Sequence, residues 1–113
     1  MIKIKRVYEE PSEKDGLRVL VDRLWPRGLT KEKAKIDLWM KEISPSNDLR
    51  KWYHNNFEKR SEFKKKYKKE LDDNKEAFDE LKKIIRKNKT VTFVYSSKEE
   101  ENNNAAALKE FVS

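Results

Sequence analysis

Asp22, Arg23 and Arg27 stand close together at the end of an apolar run, RVLVDRLW, that closes on Pro26 and Gly28. Charges in such a place call for a chemical reading. A guanidinium can hold a carboxylate or a phosphate through two parallel hydrogen bonds, and an adjacent carboxylate can orient the bound group or accept a proton from it. Later in the chain come two hydroxyls, Ser96 and Ser97, and three consecutive amides, Asn102, Asn103 and Asn104. If the segments meet, Asp22 and Arg27 form the candidate catalytic pair. Arg23, Trp25, Ser96, Ser97, Asn102, Asn103 and Asn104 then form a candidate binding set for a small anionic or polar ligand.

The same charges have a structural reading. Asp22 paired with Arg23 or Arg27 would tie the Pro-Gly turn to a neighbouring helix, since buried charges persist only when paired. His54, the sole histidine, sits beside Asn55 and Asn56 and reads as a surface or capping residue in preference to a proton shuttle. No metal site is expected. The chain lacks the His and Cys ligands zinc needs, and no spacing signature brings Asp22 together with Glu99, Glu100 and Glu101 for a hard cation. Ser96 and Ser97 lack a histidine partner for nucleophilic catalysis, and two glycines leave no phosphate-binding glycine loop. No cofactor is implied.

The elements that must position these residues follow from periodicity. Residues 2–8 alternate as a half-covered strand, and residues 9–16, with Pro11 and Asp15-Gly16, read as a loop or a short turn of helix. The apolar run over 18–25 predicts a strand covered on both faces that ends at Trp25, because Pro26 cannot donate to a ladder. Thr30 then caps a helix over 31–43 with Ile36, Trp39, Met40 and Ile43 as its buried stripe. A short helix carries Leu49, Trp52 and Tyr53; a third is striped by Phe63, Tyr67 and Leu71; a fourth by Ala77, Phe78, Leu81, Ile84 and Ile85. VTFVYSS, residues 91–97, supplies the second β-rich run, and AAALKEFV the last helix.

Two buried strands separated by helices favour a parallel pair. The expected fold is therefore α/β: one small domain with a short, mainly parallel sheet of about three strands flanked by four to five helices. In such sheets ligands gather beyond the carboxyl ends of the strands, which would put residues 22–28 and 96–104 on one edge.

Composition bounds the rest. At 113 residues there is material for one domain only, spanning 1–113. Charged residues make up 43% of the chain and apolar ones 35%, so the twelve aromatics must supply much of the core. The absence of cysteine excludes disulfides and thiolate chemistry and fits a cytoplasmic location. No stretch is long and apolar enough for a membrane span or a signal peptide.

Six of the seven excess positive charges fall within residues 59–69, KRSEFKKKYKK. Lys64, Lys65, Lys68 and Lys69 there offer an alternative function, contact with nucleic acid or an acidic protein. Glu62, Glu70, Asp72 and Asp73 lie beside them, however, and no nucleic-acid-binding motif is present, which favours a solvated helix face. A structural or oligomerising subunit is a further alternative, and the sequence leaves the oligomeric state open.

Three segments, RVLVDRLWPRGL, DLWMKEISPSNDLRKWY and VTFVYSSKEEENNNAAAL, together resemble the YeaO-like proteins, a bacterial family known as domain of unknown function 488. The string at 21–28 is the specific part of the match. The resemblance implies a one-domain α/β fold and a cytoplasmic bacterial protein, with no established activity. Asp22, Arg23, Trp25, Pro26, Arg27 and Gly28 match the family pattern, as does the strand-loop-helix reaching Asn103 and Ala105. In that pattern histidines commonly flank the asparagine, at the positions held here by Asn102 and Asn104. Asparagine can donate hydrogen bonds but cannot shuttle protons. The arrangement is also similar to rhodanese-type domains, whose loop carries a cysteine that this chain lacks.

Overall fold

The computed structural model describes residues 1–113. Its four strands are β1 (Ile2–Arg6), β2 (Leu17–Leu20), β3 (Leu38–Trp39) and β4 (Val91–Tyr95). They form one sheet in the order β1-β4-β2-β3, and every pairing is parallel. The five helices are α1 (Lys31–Ala34), α2 (Asn47–His54), α3 (Arg60–Asp73), α4 (Lys75–Lys87) and α5 (Asn104–Val112). The α/β class stands, with one strand more than expected. No helix is long and apolar enough to cross a membrane.

Alternation along the strands divides the interior in two. Ile2, Ile4, Leu17, Val19, Val91, Phe93 and Tyr95 share one face and pack into the main core with Leu49, Tyr53, Phe63, Tyr67, Phe78, Leu81 and Leu108 from α2–α5. Within it the Tyr53 and Phe63 rings stack at 3.8 Å, and the buried Tyr67 hydroxyl donates to the Ile43 carbonyl. The opposite face is thinner. It holds a small cluster of Val7, Ala34 and Val94, with Trp25, Leu29 and Ile36 against it, and a buried polar group described below.

Two expectations fail between residues 18 and 43. β2 ends at Leu20, not Trp25; Val21 makes one more ladder bond, to the Val94 carbonyl, and the chain then leaves the sheet. Asp22 to Trp25 are apolar-flanked loop residues, so Asp22 and Arg23 escape the opposite-face constraint of a strand. The helix over 31–43 is also replaced. α1 stops at Ala34 because Lys35 takes a left-handed conformation, φ 48°, and the Lys35 and Ala34 carbonyls are captured by the Arg18 guanidinium. Leu38 and Trp39 then add the edge strand β3, and Lys41–Ile43 form a 3-10 turn. Ile36, Trp39 and Ile43 are buried or half-buried as the stripe requires, but Ile36 lies in the connection after α1, Trp39 in β3 and Ile43 in the 3-10 turn.

Candidate functional site

The loop after β2 leads to α1 on the thin face of the sheet, whereas the loop after β4 leads to α5 in the main core. Adjacent parallel strands whose exits diverge to opposite faces leave a crevice between them, the usual ligand position in open α/β sheets. Here that crevice opens into a cleft of about 580 Å³. Its walls come from the end of β1, the residues after β2 and β4, and α2.

Asp22 fastens the two exits together. Its Oδ2 accepts from the Ser96 amide and the Ser96 hydroxyl, both at 2.8 Å, and its Oδ1 from Asn104 Nδ2 at 3.2 Å. Asn104 Nδ2 also donates to the Val21 carbonyl at 2.9 Å, and the Trp39 indole donates to the Asp22 carbonyl at 2.7 Å. The proposed ion pair to Arg23 or Arg27 is absent; neutral donors satisfy the carboxylate. The sheet's exits are bracketed by Asp22, but without an arginine.

The arginines are therefore left for other work. Arg23 donates Nε to the Pro45 carbonyl at 3.2 Å and one terminal nitrogen to the Ser44 carbonyl. Arg6 donates Nε to the Ser97 carbonyl at 2.8 Å and a terminal nitrogen to that of Ser96. Each keeps its remaining terminal nitrogen uncommitted. Arg50, from α2, contributes the only buried side-chain polar atom without a partner, its Nε. Arg27 is exposed at the rim, where its carbonyl accepts from the Tyr8 hydroxyl. None of the four forms an ion pair. With Lys98 and His54 also lining the cleft, basic groups face a single carboxylate.

Every residue proposed for the site on sequence grounds lines this cleft, but not all face it with free atoms. Asn103 caps α5, accepting from the Ala106 amide while donating to the Glu99 carbonyl, so both ends of its amide hold the loop. Ser97 Oγ accepts from the Glu99 amide. The Trp25 indole donates to Leu29 and its ring meets Trp39 edge-on at 5.4 Å, which shapes the Pro-Gly turn. Asn102 is half-buried, with no side-chain bond to another residue. Tyr53 closes the inner wall; burial is the main influence pushing its phenol upward, so it adds no negative charge at neutral pH.

Sequence reasoning missed Arg6, Tyr8, Arg50 and Phe57; His54 is exposed, as its reading as a surface residue expected, and it also lines the cleft. One signal was available. The chain has 21 lysines and seven arginines, yet four of the seven arginines meet here with one lysine. Arginine kept in a lysine-rich sequence points to places where a planar fork matters.

The Lys64–Lys69 helix face lies apart from the cleft. Lys64 pairs with Glu110, whose carboxyl is held below the ordinary glutamate range chiefly by the Lys64 hydrogen bond. Lys68 pairs with Asp72 at 2.7 Å, and Lys65 and Lys69 are exposed.

Fold and cleft together define a parallel α/β domain with a guanidinium-lined crevice at the carboxyl edge of its sheet. The family model described as "Inactive DUF488-N3 subclade" matches residues 1–113, and the chain belongs to that family. It is 39% identical over 111 residues to the uncharacterised protein YeaO of Escherichia coli, covering 98% of this chain and 96% of that one. Uncharacterised proteins of Mycobacterium tuberculosis and Mycobacterium bovis are each 38% identical over 112 residues, 99% of this chain and 93% of theirs. No solved structure matches significantly.

Proposed function

We propose that this protein is a binding domain for a compact anion, held by Arg23, Arg27 and Arg50 with Arg6 behind the Ser96–Ser97 backbone. The observation that carries the reading is the convergence of four arginines, none paired with a carboxylate, on one cleft. Asn102 and Lys98 supply further donors, whereas both amide hydrogens of Asn104 are already given to the Val21 carbonyl and to Asp22. Binding without turnover is favoured by the amides at 102 and 104, which cannot transfer protons, and by the commitment of Asp22 to three structural donors. The family's own description as inactive agrees.

The lysine face of α3 has less in its favour as a nucleic-acid or acidic-protein surface, because two of its four named lysines are already ion-paired. An oligomerising role has little support either. Of the four large apolar side chains that are exposed, Tyr8 and Leu24 line the cleft and Met1 and Leu38 are elsewhere.

Thermal unfolding with inorganic phosphate as the probe tests the anion reading, at ionic strength fixed with sodium chloride. A ligand that binds only the folded chain raises its stability with concentration. Phosphate is expected to raise the transition temperature, with a response at least tenfold weaker in Arg50→Met and unchanged in Lys65→Met/Lys69→Met. No response in the wild-type protein, or an equal response in Arg50→Met, would overturn the assignment.

A further inference from the structure

The cleft is larger than an inorganic anion requires, and its rim carries exposed apolar groups beside the arginines. A volume of about 580 Å³ lies within the range of roughly 300–1,000 Å³ that holds organic ligands. Tyr8 and Leu24 are 45% and 58% exposed, and both form part of its rim. Exposed apolar groups scattered singly need no explanation, but two on the lip of one charged cavity do. The Tyr8 ring is also fixed. Its hydroxyl donates to the Arg27 carbonyl at 3.0 Å, and the Arg6 guanidinium lies 5.1 Å from the ring centroid, leaving the rest of the ring open.

We infer that the ligand is an organic phosphate monoester with a flat, apolar substituent: the phosphate meets the guanidiniums and the substituent lies against Tyr8 and Leu24. This rests on the anion reading above and deepens it. A phosphate is favoured over a carboxylate because a carboxylate is satisfied by one guanidinium fork. A phosphate monoester has three terminal oxygens and carries close to two negative charges at neutral pH, which suits several arginines around one centre. A tethered, flat aromatic surface gains contact with an aromatic substituent at little cost in side-chain ordering.

Calorimetric titration with three probes, inorganic phosphate, phenyl phosphate and benzoate, separates the elements of the inference. Phenyl phosphate is expected to bind about tenfold more tightly than inorganic phosphate, and benzoate more weakly than either. In Tyr8→Ala/Leu24→Ala the advantage of phenyl over inorganic phosphate, taken as the ratio of the two affinities in the same variant, should fall to within about twofold. Tyr8→Phe, which keeps the ring, should retain most of it. Because both side chains are exposed, equal urea midpoints of variant and wild type will show that the fold is intact.

Equal binding of the two phosphates by the wild-type protein would overturn this inference while leaving the anion site in place. Benzoate matching phenyl phosphate would overturn the choice of phosphate. Failure of both phosphates to bind would remove the anion site itself.

Discussion

Two clusters of charge lie on the same small sheet and are built on opposite principles. On the thin face, Asp15 and Arg18 are 4% and 3% exposed, and nothing in their cluster is left over. Asp15 accepts from Arg18 at 2.7 Å, from Lys5 at 3.1 and 3.2 Å, and from the Ser12 amide at 2.9 Å. The two other guanidinium nitrogens of Arg18 reach the Lys35 and Ala34 carbonyls, so one side chain pairs an acid and ends a helix. At the carboxyl edge, by contrast, four arginines share a cleft in which the one carboxylate is occupied by neutral donors. A charge cluster that completes its own hydrogen bonds is architecture. One that leaves its forks open is poised for something outside the chain.

The comparison breaks most visibly in stability. Removing one partner of a buried ion pair typically costs about 3–5 kcal/mol, because the survivor stays buried and unpaired. Arg18→Met is therefore expected to lose that much in urea unfolding at constant m-value, while Arg50→Met changes stability by less than about 1 kcal/mol. Equal losses would mean that the cleft arginines also hold the fold.

The two glycines sharpen the same contrast at backbone level. Gly16, beside the closed cluster, has φ 64°, and a Cβ there would run into the Thr90 carbonyl oxygen; Gly28, which follows the cleft residue Arg27, has φ 77° but open space around it. Gly16→Ala should cost about 3 kcal/mol or more and Gly28→Ala about 1 kcal/mol, the penalty of a positive φ alone. Thermal transition midpoints of the two variants check the ranking.

A smaller effect lies in pH. Burial alone would raise the Asp15 carboxyl, but the Ser12 amide, Lys5 and Arg18 together hold it below the ordinary aspartate value of about 3.9. A carboxyl depressed in the folded state contributes stability that is fully present above its unfolded pKa and is lost as pH falls through the folded value. Stability measured from pH 6 downward should therefore fall more steeply below about pH 4 in the wild-type protein than in Asp15→Asn. Parallel curves would show that Asp15 does not carry the acid sensitivity.

Much of this was legible in the residues. β4, the stripes of α3 and α4, and the meeting of residues 22–28 with 96–104 follow from periodicity and the geometry of parallel sheets. The segment 31–43 misled because Ile36, Trp39, Met40 and Ile43 repeat at helical spacing. What overrides that pattern is Arg18, on β2 and 16 and 17 residues earlier in the chain, which holds the Ala34 and Lys35 carbonyls and lets Lys35 reverse the chain. The structural bracket was expected at Asp22, but the buried ion pair lies at Asp15 and Arg18, three positions apart across a glycine turn. Arg6 and Arg50 reach the cleft from the end of β1 and from α2, and no local pattern ties either to residue 22. Only the uneven use of arginine and lysine hinted at them.

The strand order β1-β4-β2-β3 also governs how the chain can be assembled. β1 and β2 share no hydrogen-bonded edge, and the strand that joins them, with Ile2 and Leu17 both facing Val91, is the last to be synthesised. On the ribosome the first ninety or so residues can form helices, but the sheet lacks its middle until Val91–Tyr95 emerges. Folding then waits on the closure of long loops, which is slow relative to the pairing of neighbouring segments. A chain interrupted before β4 retains only the two-residue pairing of β2 with β3. Such a fragment leaves β1 and most of β2 without a strand partner, so the fold is all-or-none with respect to its last strand.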